Sequence, residues 1–196
     1  MNKVLNRSWF DFDVKEENRG VIIISILALI IPLFLGKLLS LIFGEESLIT
    51  SNSEVIIGTI VNSLLIVSAL NFKGIKKIIG VIIMPSIALI LSWLLFEQNS
   101  EEIIWMAPGI CLGNFALVYT FKKIMVEMKQ NYFLTGLIGV ILKTLIIFGI
   151  FSLLNAFNIF PNDGLDTIKY TMGTMQAFTG ILGVLLGYLI YTSYRY

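Results

Sequence analysis

Six stretches of this chain run for 17 to 25 residues with scarcely a charge: about Gly20–Phe43, Glu54–Leu70, Ile75–Phe96, Ile103–Phe121, Phe133–Phe157 and Ile168–Tyr191. Nothing else in the sequence constrains the fold as strongly. A helix rises about 1.5 Å per residue, so each stretch can cross a hydrocarbon layer of about 30 Å. Only 14% of the 196 residues are charged and 57% are hydrophobic, against about a quarter charged in a soluble domain. The expectation is an all-α integral membrane protein with six transmembrane helices. Residues 1–19 would form a cytoplasmic or interfacial segment, and 20–196 a single membrane domain. The second stretch is the shortest and carries Asn62 and Ser63 near its middle. The first has no small-residue cleavage site behind it and reads as a retained helix rather than a signal peptide.

Charge in the connections orients the bundle. Eleven Lys and Arg fall in the N-terminal segment, the second–third and fourth–fifth connections and the C-terminus, including Lys73, Lys76, Lys77, Lys122 and Lys123. The other connections carry Lys169 alone and are otherwise acidic, with Glu45, Glu46, Glu97, Glu101 and Asp163 among them. By the positive-inside rule both termini are cytoplasmic in a multi-pass protein of the cell membrane. Trp9, Phe10 and Phe12 interleave with charges ahead of the first span, as in an interfacial anchor or a docking element for a cytoplasmic partner.

Pro32 and Pro85 stand 53 positions apart and Asn62 and Asn114 52 apart, with an acidic connection between the Pro and the Asn of each unit. This spacing predicts a parallel internal repeat of helices 1–2 and 3–4.

Chemistry is sparse. One Cys and no His exclude a disulfide framework and weigh against zinc or Cys-His catalysis. Gly-x-Ser-x-Gly, His-Glu-x-x-His and phosphate-loop motifs are absent, so the chain is not expected to be an enzyme or to hydrolyse ATP. No cofactor, metal or nucleic-acid partner is expected. No Asp or Glu lies mid-span, against a proton-coupled carrier.

Five polar residues at hydrocarbon depth need a reason: Lys143, Asn114, Asn62, Gln176 and Thr179. A lysine near the midplane costs roughly 2.5–3.5 kcal/mol. Lys143 either faces a wet cavity and a ligand or pairs with a buried carbonyl or Asn. Asn62 and Asn114 either bond between helices or touch a ligand. Gln176 and Thr179 sit at the outer end of a glycine face formed by Gly180, Gly183 and Gly187, a close-packing seam. Lys143, Asn114 and Gln176 are expected to border one outward cavity, with Asn62 nearby, and Lys143→Met is expected to keep the fold. Lys37, nearer the outer face, reads as a snorkelling lysine. The Gly36-x-x-x-Ser40-x-x-x-Gly44 ridge reads as a contact surface within the bundle, or toward a partner subunit.

Several local patterns carry a resemblance: Met106-Ala-Pro-Gly-Ile-Cys-Leu-Gly-Asn114 with the following Phe115–Phe121, then Gly136-Leu-Ile-Gly-Val-Ile-Leu-Lys143, then Gln176-Ala-Phe-Thr-Gly180. With the size and six spans, they resemble the substrate-binding S components of energy-coupling factor (ECF) vitamin transporters. The resemblance implies capture of a small molecule, a vitamin or cofactor precursor, from outside. It also implies partners: a transmembrane coupling subunit, two ATPases and the lipid bilayer. Family members often dock through an Ala-x-x-x-Ala-like motif in the first helix, and the nearest match here is Ser25-x-x-Ala28. The rival reading is a non-transporting membrane scaffold or assembly protein of similar topology.

Overall fold

A computed structural model describes residues 14–96, 101–160 and 165–193. The aromatic N-terminal residues, Asp163 and Arg195 lie outside them. The described residues are almost all helical, without strands. In order they form α1 (Val14–Phe43), α2 (Leu48–Ser51), α3 (Ser53–Asn71), α4 (Ile79–Phe96), α5 (Glu101–Ile104), α6 (Ala107–Thr120), α7 (Tyr132–Ala156), α8 (Leu165–Tyr170) and α9 (Gln176–Ser193). A tight turn over Ile75–Ile78 leads into α4. Wide π-type turns extend α6 through Glu127 and join α8 to α9.

Six of these units are long and apolar enough to cross a bilayer: Glu17–Phe43, Ser53–Asn71, Ile75–Phe96, Ala107–Glu127, Tyr132–Ala156 and Leu165–Ser193. The architecture is that of a multi-pass membrane protein. The spans start or stop within a few residues of the apolar stretches, with the largest differences at polar ends. The first helix begins by Val14, not at Gly20, because Glu17 is drawn inward. It ends where Gly44 takes φ +85° and bonds back to Ser40 O, a left-handed conformation that glycine adopts without strain. Asn131 caps α7, its Oδ1 accepting from the amides of Phe133 at 2.8 Å and Leu134 at 3.3 Å.

Neighbour contacts close the spans into a ring: α1 on α4, α4 on α6, α6 on α7, α7 on α9, α9 on α3 and α3 on α1, with α3 also touching α6 across the middle. The second span is the central one, with half of its most apolar window buried, against 11% for the first. Ile22, Ile26, Leu38 and Leu41 of α1 are exposed, as lipid-facing side chains are.

The glycine face of α9 sets how closely this ring closes. A Cβ at Gly180 would meet Val140 at 2.9 Å, one at Gly187 would meet the Tyr132 hydroxyl at 2.9 Å, and one at Gly183 would collide with Asn62 Cβ and crowd Thr59 O at 3.2 Å. From α7, Gly136 receives Val184 in the same way, at 2.6 Å. Lipid supplies no hydrophobic drive between helices, so such close approach is what holds them. Tyr132 Oη donates to Val184 O at 2.9 Å and stacks among Phe121, Tyr188 and Tyr191, sealing the seam at the end where the chain enters α1 and leaves α9.

That same end holds a clamp that the sequence pattern did not reveal. Glu17, 6% exposed, accepts from the Lys73 amide at 2.6 Å and pairs with Lys77. Lys122 donates to Phe72 O. The 71–78 connection is thereby gripped from α1 on one side and the α6 extension on the other.

Gly183→Ala should destabilise the protein by about 1–3 kcal/mol, the usual cost of forcing atoms into a packed interior, because the collision is with α3 itself. Gly149→Ala, where a Cβ meets nothing within 4 Å, should leave thermal unfolding in detergent unchanged. Equal behaviour of the two variants would show that the seam does not set helix spacing.

Candidate functional site

Two features meet in the half of the bundle away from Val14 and Ser193: a polar network deep between the helices and a cavity above it. The network is built on Lys143, in the middle of α7 and 3% exposed. Its Nζ donates to Asn62 Oδ1 of α3 at 2.5 Å and to Asn114 Oδ1 of α6 at 2.9 Å. The amide of Asn62 donates to Thr179 Oγ1 of α9 at 3.4 Å, and that of Asn114 to Ile82 O of α4 at 3.4 Å. Thr179 Oγ1 in turn donates to Met175 O at 2.8 Å. Five of the six spans are linked through one ammonium group, and α1 alone stands outside.

Asn suits this position because it presents a carbonyl to the ammonium and an NH₂ outward, so one side chain continues the chain of bonds. Gly113 lets α6 come close enough: its Cα side meets Lys143 Cγ and Ile147, and a Cβ there would lie 2.7 Å from Ile147 and 3.2 Å from Lys143. No ion pair to Lys143 occurs among the described residues; its positive charge is met by dipoles only.

The cavity encloses about 610 Å³, within the range of pockets for small molecules. Its walls come from the far halves of the first and third spans, the near halves of the second, fourth and sixth, and Ile103 of α5. Pro32 of α1 and Pro85 of α4 both line it. Each removes one rung of its helix ladder. Gln176 and Thr179 line it from α9, below the wide turn at Thr171–Met175. Such turns break the regular helix spacing and recur at functional sites. The exposed Lys37, Glu54 and Thr167 form the rim, and Lys37 lies 3.7 Å from the centre of the Phe96 ring.

The structure therefore divides the five sequence-derived residues. Lys143, Asn62 and Asn114 meet each other; they are not cavity-lining. Gln176 and Thr179 line the cavity, and Thr179 belongs to both groups. One cavity bordered by Lys143, Asn114 and Gln176 together is not what forms, because the two Asn side chains occupy the space beside the ammonium. The alternative in which Lys143 pairs with buried Asn describes its contacts. The Gly36–Ser40 ridge also differs from expectation: it lines the cavity rather than a helix contact, and a Cβ at Gly36 would meet only Ile57 Cδ1, at 3.8 Å. Lys37 is a rim residue with an aromatic partner. Neither Trp93 nor Trp105 lines the cavity. Residues that sequence reasoning passed over include Gly58, where a Cβ would meet Thr179 at 2.9 Å, and the hydroxyls of Thr59, Ser86 and Thr144, buried without a hydrogen-bond partner among the described residues. The signal of Gly58, Thr59 and Ser86 in the sequence was only helical register with Asn62 and Pro85.

Comparison of the chain with protein-family models, curated proteins and solved structures finds no match.

This geometry changes the expectation for Lys143→Met. The variant removes a buried charge but strands two carbonyl oxygens, and buried unmade bonds in membrane proteins cost from about 0.6 to 1.7 kcal/mol each. Lys143→Met should lower stability by about 1–3 kcal/mol on that basis. The triple variant Asn62→Leu/Lys143→Met/Asn114→Leu should recover most of it, since an apolar replacement of a whole buried polar set is often neutral. Denaturant unfolding in mixed micelles measures both; a triple variant weaker than the single one would mean the network is not a closed unit.

Proposed function

We propose that this protein is a substrate-capture subunit for uptake of a small molecule. The observation that carries the reading is the cavity of about 610 Å³ at one end of the bundle, with a charged rim and a floor at Thr179 that leads by hydrogen bonds to Lys143. A helix bundle held only for assembly has no use for an unfilled space beside two helix-breaking prolines, since dispersion contacts are lost along its walls. The cavity end carries the acidic connections and the opposite end the basic ones, which supports an outward-facing cavity and cytoplasmic termini. The substrate class that the family resemblance implies is a vitamin or cofactor precursor. The energy source would be ATPases acting through a transmembrane coupling subunit of the ECF type, because this chain has no nucleotide-binding motif of its own.

A parallel duplication of the first two and next two spans belongs to the same proposal. Pro32 and Pro85 both reach the cavity, Asn62 and Asn114 both bind one ammonium, and the paired helices are neighbours in the ring. A duplicated hairpin wrapped around a shared site accounts for all three.

Capture is tested by purifying the protein without added ligand, denaturing it and analysing the supernatant by mass spectrometry. A stoichiometric small molecule is expected from the wild type and should be lost from Gly36→Phe, which fills the cavity from a position with room for a Cβ. A supernatant empty in both would favour the scaffold reading.

Orientation is tested separately in a Cys111→Ser background. Cysteine at Asn52, exposed at the cavity end, should react with an impermeant maleimide in intact cells, and cysteine at Lys76 should not. The reverse pattern would turn the cavity to the cytoplasm and sink the uptake reading.

A further inference from the structure

We propose that the cavity takes an aliphatic molecule with an anionic head, a carboxylate on a saturated body, held head-down over the lysine network. This rests on the capture reading and adds the substrate class. Three features of the cavity and its surroundings point to this ligand.

The first is charge. Lys143 carries a cation into the bundle with two of its three N–H groups used, on neutral carbonyls, and with no carboxylate bonded to it. At the rim Lys37 and Glu54 offset one another. Lys143 is linked to the floor residue Thr179 through Asn62, and with no carboxylate bonded to it among the described residues it favours a negative charge over a positive one at the floor. A cationic head is repelled there, a neutral one gains little, and an anionic one supplies the missing counter-charge.

The second is unused donors. Among the described residues the hydroxyls of Thr59, Ser86 and Thr144 are buried with no partner; Thr59 and Ser86 are the two beside the cavity, and Ser86 is only 5% exposed. Each follows a cavity-lining residue, Gly58 and Pro85. Thr59 lies one turn from Asn62 on α3, and Ser86 one turn from Ile82 on α4, in both cases toward the cavity end. Neither residue lines the cavity, but both belong to the helical turns that join its wall to the network, where a head with several acceptor lone pairs is the group that would satisfy them. Buried polar groups left unpaired are rare enough to need an explanation. A carboxylate accepts through both oxygens and donates nothing, which matches a floor that carries Thr179 and Gln176 and has two unpaired hydroxyls beside it. Gln176 adds an amide donor at the same level.

The third is the wall. Leu33, Ile57, Leu89, Ile110, Met172 and Met175 supply the apolar lining, and no aromatic side chain lines the cavity among the described residues. Planar ring systems are usually held by stacking on aromatic faces. Branched aliphatic side chains and two adaptable methionines fit a flexible saturated body instead.

The experiment uses the full-length protein in nanodiscs of uncharged phosphatidylcholine and follows thermal unfolding with four probes: octanoate, octanamide, octylamine and 1-naphthoate. Octanoate should raise the unfolding temperature saturably, as a ligand bound only to the folded state does. Octanamide should bind about tenfold or more weakly, the loss expected when hydrogen bonds to a charged acceptor become bonds to a neutral one. Octylamine should give no saturable rise, and 1-naphthoate less than octanoate. Gly36→Phe should abolish the octanoate effect. The proposal is overturned if octylamine or octanamide matches octanoate, if 1-naphthoate exceeds it, or if the octanoate shift persists in Gly36→Phe. It is overturned equally if no probe acts, or if the molecule released from the denatured wild type is cationic or aromatic. A released molecule of such another class leaves capture standing, whereas the absence of any released molecule removes capture as well.

Discussion

A single ammonium group at hydrocarbon depth organises this bundle. Taking a lysine to the middle of a membrane span costs a few kcal/mol at the least, and the cost is tolerable only if the protein surrounds the charge with dipoles. Here that requirement recruits Asn62 from α3 and Asn114 from α6, and through their amides Thr179 of α9 and the backbone of α4. Because each Asn is used at both its oxygen and its nitrogen, moving any one of these helices breaks bonds on another. The network therefore fixes register among five spans in a medium where apolar packing alone specifies little.

The glycine face of α9 complements that constraint. Tight contacts at Gly180, Gly183 and Gly187 hold the sixth span against the second and fifth from the network toward the chain's entry end. Above the network the wide turn at Thr171–Met175 and the two prolines interrupt regular helix packing. Space opens there, with Thr179 as its floor. Closure at one end and opening at the other thus follow from where the small residues stop and the helix-breaking ones begin. The first span lies outside the network, with only 11% of its most apolar window buried, and is held instead by its packing on α4 and α3 and by the Glu17 clamp.

Much of this was legible from residues in order. Six apolar stretches of the right length dictate six spans, because hydrocarbon leaves backbone groups no other way to be satisfied. Lys143, Asn62 and Asn114 stood out because polarity at that depth is expensive, and the Gly183–Gly187 spacing announced a packing seam. The clamp at Glu17 was not legible. A glutamate at the edge of a span reads as solvent-facing until the 71–78 connection is seen to fold back on it. Gly36 and Ser40 gave the wrong surface, since a small-residue ridge looks the same whether a helix or an empty space lies opposite.

The sequence by itself determined the fold class, the number of spans and the polar residues that had to turn inward, since each follows from transfer cost and helix geometry along one segment. Only the tertiary structure decided which inward residues meet. The distance between Lys143 and either Asn depends on the order of helices around the ring and on their axial offsets, which no single segment encodes. That ring brings the lysine to the asparagines and leaves Gln176 and Thr179 to the cavity, because two amide side chains fill the space beside the ammonium before a ligand can.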